Sequence, residues 1–114
     1  MKLRELGIDI LEIKRFDSFG KNRNSRFLLN NYGKKELNYC FSFKNPAPHL
    51  AGVFAAKEAV FKTLGRNNIL LSLIEIRRNK SGKPEVWIKG HRQKSMSVSI
   101  SHTAKIAAAI AIKQ

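Results

Sequence analysis

The stretch Gly52-Val53-Phe54-Ala55-Ala56-Lys57-Glu58-Ala59-Val60-Phe61-Lys62-Thr63-Leu64-Gly65 decides how the rest of the chain is read. It continues a helix that the sequence predicts to begin near Pro46, because proline suits a first helical turn and Gly65 suits a stop. At about 100° per residue, Leu50, Val53, Phe54, Val60, Phe61 and Leu64 fall on one bulky apolar arc. Ala51, Ala55 and Ala59 form a neighbouring strip of small residues, where another group can come close to the backbone. Glu58 and Lys62 flank that strip one turn apart, at the spacing where side chains meet. The plainer alternative is a solvated Glu–Lys pair, which contributes only a few tenths of a kcal/mol. Lys57 is out of place inside the bulky arc. Its charge must snorkel along its own stem or find an anion.

Working outward, Leu6 to Ile13 reads as a strand rich in β-branched residues. Asp9 sits in its middle, and a carboxylate among apolar neighbours must be paired, hydrogen-bonded or metal-bound. A structural Asp bonding a nearby turn is the simpler account. Lys14 to Asn31 is a broken, basic helical region interrupted at Gly20, Asn22 and Asn24. Phe16, Phe19, Phe27 and Leu28 give it an apolar side, and Lys14, Arg15, Lys21, Arg23 and Arg26 a positive one. A short helix from about Lys34 to Phe43 and a turn at Asn45-Pro46-Ala47-Pro48 lead into the central helix.

Beyond it, Arg66-Asn67-Asn68 is a loop. Leu70 to Arg78 and Pro84 to Lys89 read as strands around a turn at Asn79 to Lys83. Met96 to Ser101 alternates strictly, as a half-buried strand does. Ala104 to Ile112 is alanine-rich, which favours helix, yet it alternates, and the preceding strand makes a hairpin the better reading. The sum is an α+β domain over residues 1–114: an N-terminal strand, helices including one long central helix, then an antiparallel β-meander.

The 22 Lys and Arg against 8 Asp and Glu give a formal charge of +14. A balance this basic calls for an anionic partner: nucleic acid, a membrane surface, an acidic protein or a phosphorylated small molecule. The single cysteine, Cys40, has no partner for an internal disulfide and suits a reducing compartment. No apolar run spans a bilayer and no signal-peptide core is visible, so the expected location is the cytoplasm.

Asp9 and Glu58 could share a divalent cation if the first strand packs beside the central helix. Two carboxylates with the remaining positions open to water and phosphate suit Mg2+. Lys62 would then be a mobile point charge for a phosphate oxygen. Ser99, Ser101 and His102 bring hydroxyls and an imidazole to a strand end. A Ser–His hydrolase is rejected, because adjacent strand residues face opposite ways and no nucleophile elbow is present. A hydrogen-bonding or phosphate-contacting role fits better, against the alternative of a capping serine and a surface histidine. His49 and His91 form no metal-ligand spacing with Cys40.

Three segments, Gly7 to Phe16, Phe54 to Gly65 and Val98 to Thr103, together resemble holo-acyl-carrier-protein synthase, the short type of 4′-phosphopantetheinyl transferase. Gly82-Lys83-Pro84 resembles that family's hairpin turn. The motifs keep the family's order and cover nearly the whole chain. The resemblance implies transfer of the phosphopantetheine arm of coenzyme A to a serine of apo acyl carrier protein, in support of fatty acid biosynthesis, with release of adenosine 3′,5′-bisphosphate. It implies Asp9 and Glu58 as Mg2+ ligands, with Glu58 and Lys62 in catalysis. Lys62, Ser101 and His102 would contact coenzyme A, joined by Lys57 on the ground of its misfit in the apolar arc, and Arg15 and Arg26 would dock the acidic carrier. It also implies a homotrimer with sites at subunit interfaces. Such an enzyme needs no nucleophile of its own, only a base, for which Glu58 is the candidate, and cations to stabilise the pyrophosphate.

Two departures stand out. The family usually carries arginine where this chain has Val53, so the nucleotide's 3′-phosphate falls to other cations, with Lys57 and His102 expected as the best placed. The family's glycine-rich loop after the central helix is replaced by Arg66-Asn67-Asn68. The rival class is a small nucleic-acid-binding protein, favoured by the charge but disfavoured by acidic residues on apolar elements, where an RNA binder places aromatics and arginines.

Overall fold

The computed structural model describes residue 2, residues 4–65 and residues 69–114. The expected loop at 66–68 lies outside the described residues. Strand β1 spans Glu5–Glu12. Two 3-10 turns follow, Ile13–Phe16 and Phe19–Lys21, then helices α1 (Arg26–Asn31), α2 (Lys34–Cys40) and α3 (Ala47–Thr63). Strands β2 (Ile74–Arg78), β3 (Pro84–Ile88), β4 (His91–Arg92), β5 (Met96–His102) and β6 (Ile106–Lys113) complete the chain. The α+β order matches the sequence reading, including the alanine-rich tail as a strand.

Helix α3 starts and stops where its sequence directs. Pro46 is its N-cap, and Gly65 follows its end at φ +68, a left-handed conformation that costs glycine little. Ala51, Ala55 and Ala59 are fully buried beside the bulky residues Leu50, Val53 and Val60. The small-residue strip is therefore a second packing face, and the group that comes close to it is the chain's own sheet.

That sheet has the order β1-β6-β5, all antiparallel. Ala107, Ala109 and Ala111 of β6 turn inward, so small residues meet small residues where α3 crosses the sheet. The strands after α3 are divided between two sheets rather than forming one meander. β2-β3-β4 make a separate antiparallel sheet, and the β5–β6 hairpin leaves it to pair with β1. The expected strand from Leu70 begins later, because Leu71–Leu73 is a 3-10 turn.

The basic region folds against α3 through aromatic packing. Phe16 and Leu28 are buried. Phe19 stacks on Phe27 with ring centroids 4.5 Å apart, and Phe27 meets Phe54 of α3 at 5.5 Å. Such pairs contribute about 0.5–1.5 kcal/mol each beyond their area. Burying this apolar side leaves Arg15 and Arg26 exposed on the other.

Candidate functional site

Alternation along β1 sets the site. Gly7, Asp9 and Leu11 face α3, while Leu6, Ile8 and Ile10 face outward. At Gly7 the approach is extreme: a β-carbon there would lie 1.9 Å from the Ala59 carbonyl oxygen and 3.2 Å from Lys62 Cβ. Only glycine admits β1 this near to the helix. Two residues on, Asp9 is held beside the turn of α3 that carries Glu58 and Lys62.

The Lys62 ammonium donates to the Ile8 carbonyl at 2.7 Å and to Asp9 Oδ1 at 3.4 Å. Lys62 thus turns towards β1, and the Glu58–Lys62 pair expected along the helix is not among the ion pairs of the described residues. Glu58 is left as a half-buried carboxylate. Burial first, and the Asp9 charge second, hold its pKa above the ordinary carboxylate value, against a smaller opposing pull from Lys62.

This donor set could hold a hard divalent cation. The nearby Asp9 charge adds to the cost of ionising Glu58, which a cation would relieve. No cluster of three or more His, Cys, Asp or Glu is suited to a metal among the described residues. Asp9 and Glu58 could supply two carboxylate oxygens to such a cation, with its other positions left to water and phosphate.

The other expected residues are distributed differently. Ser101 lies on the sheet face opposite Asp9, exposed in line with Ser97 and Ser99, so this chain alone does not bring the two together. His102 ends β5 on the α3 side, its ring 5.9 Å from that of His49. Lys57 is a correction. It is fully buried, and its ammonium meets Glu36 Oε1 at 2.7 Å. Glu36 also accepts from the Gly33 and Ile76 backbone N–H groups, each at 2.8 Å. Lys57 therefore has no surface with which to touch coenzyme A; the anion it finds is internal. Glu36 on α2 and Arg78 on β2 have nothing local in the sequence that links them to α3, and His49, on α3 itself, meets His102 only through the fold.

Two acids and a lysine thus converge at a helix–strand crossing in an α+β fold, a donor set able to act on an anionic, phosphate-bearing substrate. The family comparison makes the chemistry particular. The family described as the 4′-phosphopantetheinyl transferase superfamily matches residues 5–111, and the chain belongs to it. It is 39% identical over 108 residues to a holo-[acyl-carrier-protein] synthase of Thermodesulfovibrio yellowstonii, covering 94% of this chain and 95% of that one. A synthase of the same name from Caldanaerobacter subterraneus is 40% identical, covering 94% and 91%. Among solved structures, a holo-(acyl-carrier-protein) synthase from Bacillus anthracis in complex with CoA (3′,5′-ADP) superposes with a TM-score of 0.80 at 27% identity, covering 97% of this chain and 96% of that one. The Helicobacter pylori synthase in complex with coenzyme A gives 0.79 at 28% identity, covering 96% and 99%. None of these relatives supports the nucleic-acid alternative.

Proposed function

We propose that this protein transfers the 4′-phosphopantetheine group of coenzyme A to a serine of apo acyl carrier protein, releasing adenosine 3′,5′-bisphosphate, as a step in support of fatty acid biosynthesis. The observation that carries this reading is the convergence of Asp9, Glu58 and Lys62 enforced by the Gly7–Ala59 contact. The holo-[acyl-carrier-protein] synthase relatives give the convergence its chemistry.

The carrier serine oxygen attacks the phosphorus that bears the pantetheine arm. A new P–O bond forms, the P–O bond to the adenosine-bearing phosphate breaks, and adenosine 3′,5′-bisphosphate leaves with the electron pair. Glu58 accepts the serine proton; a carboxylate whose pKa is raised by burial is a better base near neutral pH than an ordinary one. Lys62 places a positive charge beside the pyrophosphate, where negative charge concentrates as the bond breaks. Asp9 holds Lys62 in that orientation. A Mg2+ ion held by Asp9 and Glu58 would neutralise and orient the pyrophosphate.

The finer features follow from the same reading. The outward face of the β1-β6-β5 sheet exposes Leu6, Ile8, Ile10 and Ile110, a cluster that favours burial against other copies of the chain. We assign this face to a homotrimer. It also carries Ser101, which supports a coenzyme A site completed at the seam between subunits. Arg15 and Arg26 are assigned to carrier docking, and the location to the cytoplasm. No helix among the described residues is long and apolar enough to cross a membrane. The test is incubation with coenzyme A, Mg2+ and an apo carrier, followed by intact mass. A gain of one phosphopantetheinyl group is expected; an apo carrier that other synthases modify and this one leaves unchanged refutes the reading.

A further inference from the structure

Consecutive arginines at the end of β2 each stack on an aromatic ring. The Arg77 guanidinium lies 4.2 Å from the ring centroid of Trp87 on β3, and that of Arg78 lies 4.5 Å from the ring centroid of Tyr39 on α2. A guanidinium laid on a ring covers one of its faces and keeps its N–H groups at its edge, where they can meet an anion. These four residues, with Lys35 and Glu85, line an open cavity of about 290 Å3 between α2, β2 and β3. That is about ten times a water's ~30 Å3 share of the liquid, enough for a small organic anion.

Cations outnumber acids in the wall of this cavity. Glu85 is the one acid among its described lining residues, and Arg92 pairs with it at 3.0 Å. Arg77 turns Nε and Nη2 to Glu75, at 3.4 and 3.1 Å, which fixes the guanidinium and leaves Nη1. Arg78 donates through Nη1 to the Gly82 carbonyl at 3.3 Å. No ion pair among the described residues involves Arg78 or Lys35. Trp87 Nε1 and Arg78 Nε are both buried without an acceptor. Buried polar groups are as a rule paired, so two unpaired donors on residues of one cavity mark a place that lacks an acceptor. Two uncompensated cations, Lys35 and Arg78, match a dianion better than a monoanion. A phosphate group carries close to two negative charges above its second pKa of about 6.

Arg78 and Tyr39 also line a neighbouring cavity of about 160 Å3 at Val53, together with His49 and His102. Gly52 and Ile100 meet there: a β-carbon on Gly52 would lie 2.9 Å from Ile100 Cγ2. His102 is an expected coenzyme A contact, so one guanidinium borders both that contact and a cavity for which the transfer has no use. We propose that the cavity between α2, β2 and β3 is a regulatory anion site: it takes a small phosphate-bearing ligand on Lys35, Arg77 and Arg78, and its occupancy weakens coenzyme A binding through the shared Arg78. The coupling rests on the transfer reading above; the anion site does not. A phosphate held by Arg78 in one cavity neutralises charge that would otherwise attract an anion in the other. By linkage, the nucleotide weakens phosphate binding by the same factor.

Trp87 is the chain's one tryptophan, so its emission reports on this cavity. Inorganic phosphate is titrated at slightly alkaline pH and constant ionic strength, balanced with chloride, with succinate as a dicarboxylate arm. Wild type should show a saturable change with phosphate and a weaker response to succinate. Lys35→Gln should raise the phosphate Kd about threefold and leave transfer without phosphate unchanged. Arg77→Gln should raise that Kd about tenfold, and Lys35→Gln decides the matter if Arg77→Gln does not fold. His49→Gln, in the neighbouring cavity, should leave it unaltered. In calorimetry, phosphate should raise the Kd of adenosine 3′,5′-bisphosphate to a plateau, as a separate site does. Emission that phosphate leaves unchanged, a response that succinate or chloride reproduces, or one lost in His49→Gln and kept in Lys35→Gln overturns the proposal. A bisphosphate Kd that phosphate does not alter, or raises without limit as one shared site would, overturns the coupling. If the protein transfers no phosphopantetheine yet Trp87 responds through Lys35, the anion site stands and the transfer reading falls.

Discussion

The Ala59 carbonyl oxygen occupies space that a β-carbon on Gly7 would need, only 1.9 Å from where it would sit. This contact is what places Asp9 of β1 within reach of Lys62 of α3. Alanine at position 7 must push β1 off the helix by more than an ångström, since a backbone carbonyl in mid-helix cannot yield. Gly7→Ala should therefore lower kcat by about a hundredfold, the scale of loss that a 1 Å misplacement produces, together with a lower melting temperature. Calorimetry and steady-state kinetics measure both. Retention of wild-type kcat by Gly7→Ala would show that the close approach does not position Asp9.

Asp9→Asn and Glu58→Gln preserve shape and remove charge. Each should reduce transfer by at least about a hundredfold, with the circular dichroism spectrum unchanged. Chelation of divalent ions should abolish wild-type transfer, and added Mg2+ should restore it. Near-full activity of either variant, with Mg2+ as the sole divalent ion, would refute the shared-metal assignment.

The buried Lys57–Glu36 pair makes a prediction about stability. Both side chains are fully buried, and removing one partner of such a pair costs about 3–5 kcal/mol. Lys57→Met also removes the two largest contributions that lower the Glu36 pKa, leaving burial, opposed only by the Gly33 and Ile76 backbone N–H groups, to raise it further above its ordinary 4.5. A folded-state pKa above the unfolded one means that the folded protein holds the proton more tightly, so stability falls as pH rises between the two values. The deficit of Lys57→Met against wild type should therefore be smallest in acid and grow towards neutral pH. Urea denaturation at several pH values measures it. A deficit independent of pH would mean that Glu36 is not left as an uncompensated charge.

The sequence makes legible what depends on local periodicity. The bounds of α3, strands β1, β3, β5 and β6 and the trio Asp9, Glu58 and Lys62 follow from spacing and from resemblance to a known family, whereas β2 begins later than the expected Leu70 and β4 goes unread. What eludes it depends on distant partners. Lys57 is visibly misplaced on its helix, but the anion that answers it, Glu36, is 21 residues away on α2, and Glu36 reads there as an ordinary helical acid. The cavity at Val53 gathers Arg78 from β2, His49 from α3 and His102 from β5, three elements whose meeting depends on Gly52 accepting Ile100. The apolar residues of β1 look alike in the sequence. Only the pairing Ile8↔Ile110 and the packing of Gly7 on α3 show which of them face out.

Arg15 and Arg26 are exposed on the segment stapled to α3 by Phe16, Phe19 and Phe27. If they dock an acidic carrier, charge reversal should act on encounter and not on chemistry. Arg15→Glu or Arg26→Glu should raise KM for the carrier and leave KM for coenzyme A nearly unchanged. Added salt should mimic the effect, because exposed charges are screened beyond about 8 Å at physiological ionic strength. Unaltered carrier kinetics at low salt, with both arginines reversed, would remove this surface from consideration.

The outer face of the β1-β6-β5 sheet predicts assembly. Ile8 and Ile10 are 65% and 67% exposed, and Ile110 lies opposite Ile8 across the register. Adjacent exposed isoleucines on a sheet face are the surface that another copy would cover. Ile110 is the better position to test, because it is on β6 and its side chain points to the sheet face opposite Asp9. Ile110→Glu places a carboxylate where an interface would have to desolvate it. The variant should shift the light-scattering mass from trimer towards monomer, with the circular dichroism spectrum retained. Transfer should fall with it although Asp9, Glu58 and Lys62 are untouched, since Ser101 shares that face and would no longer meet a neighbouring subunit. A wild-type protein that is monomeric at micromolar concentration, or an Ile110→Glu variant that stays assembled, would exclude this face as the subunit contact.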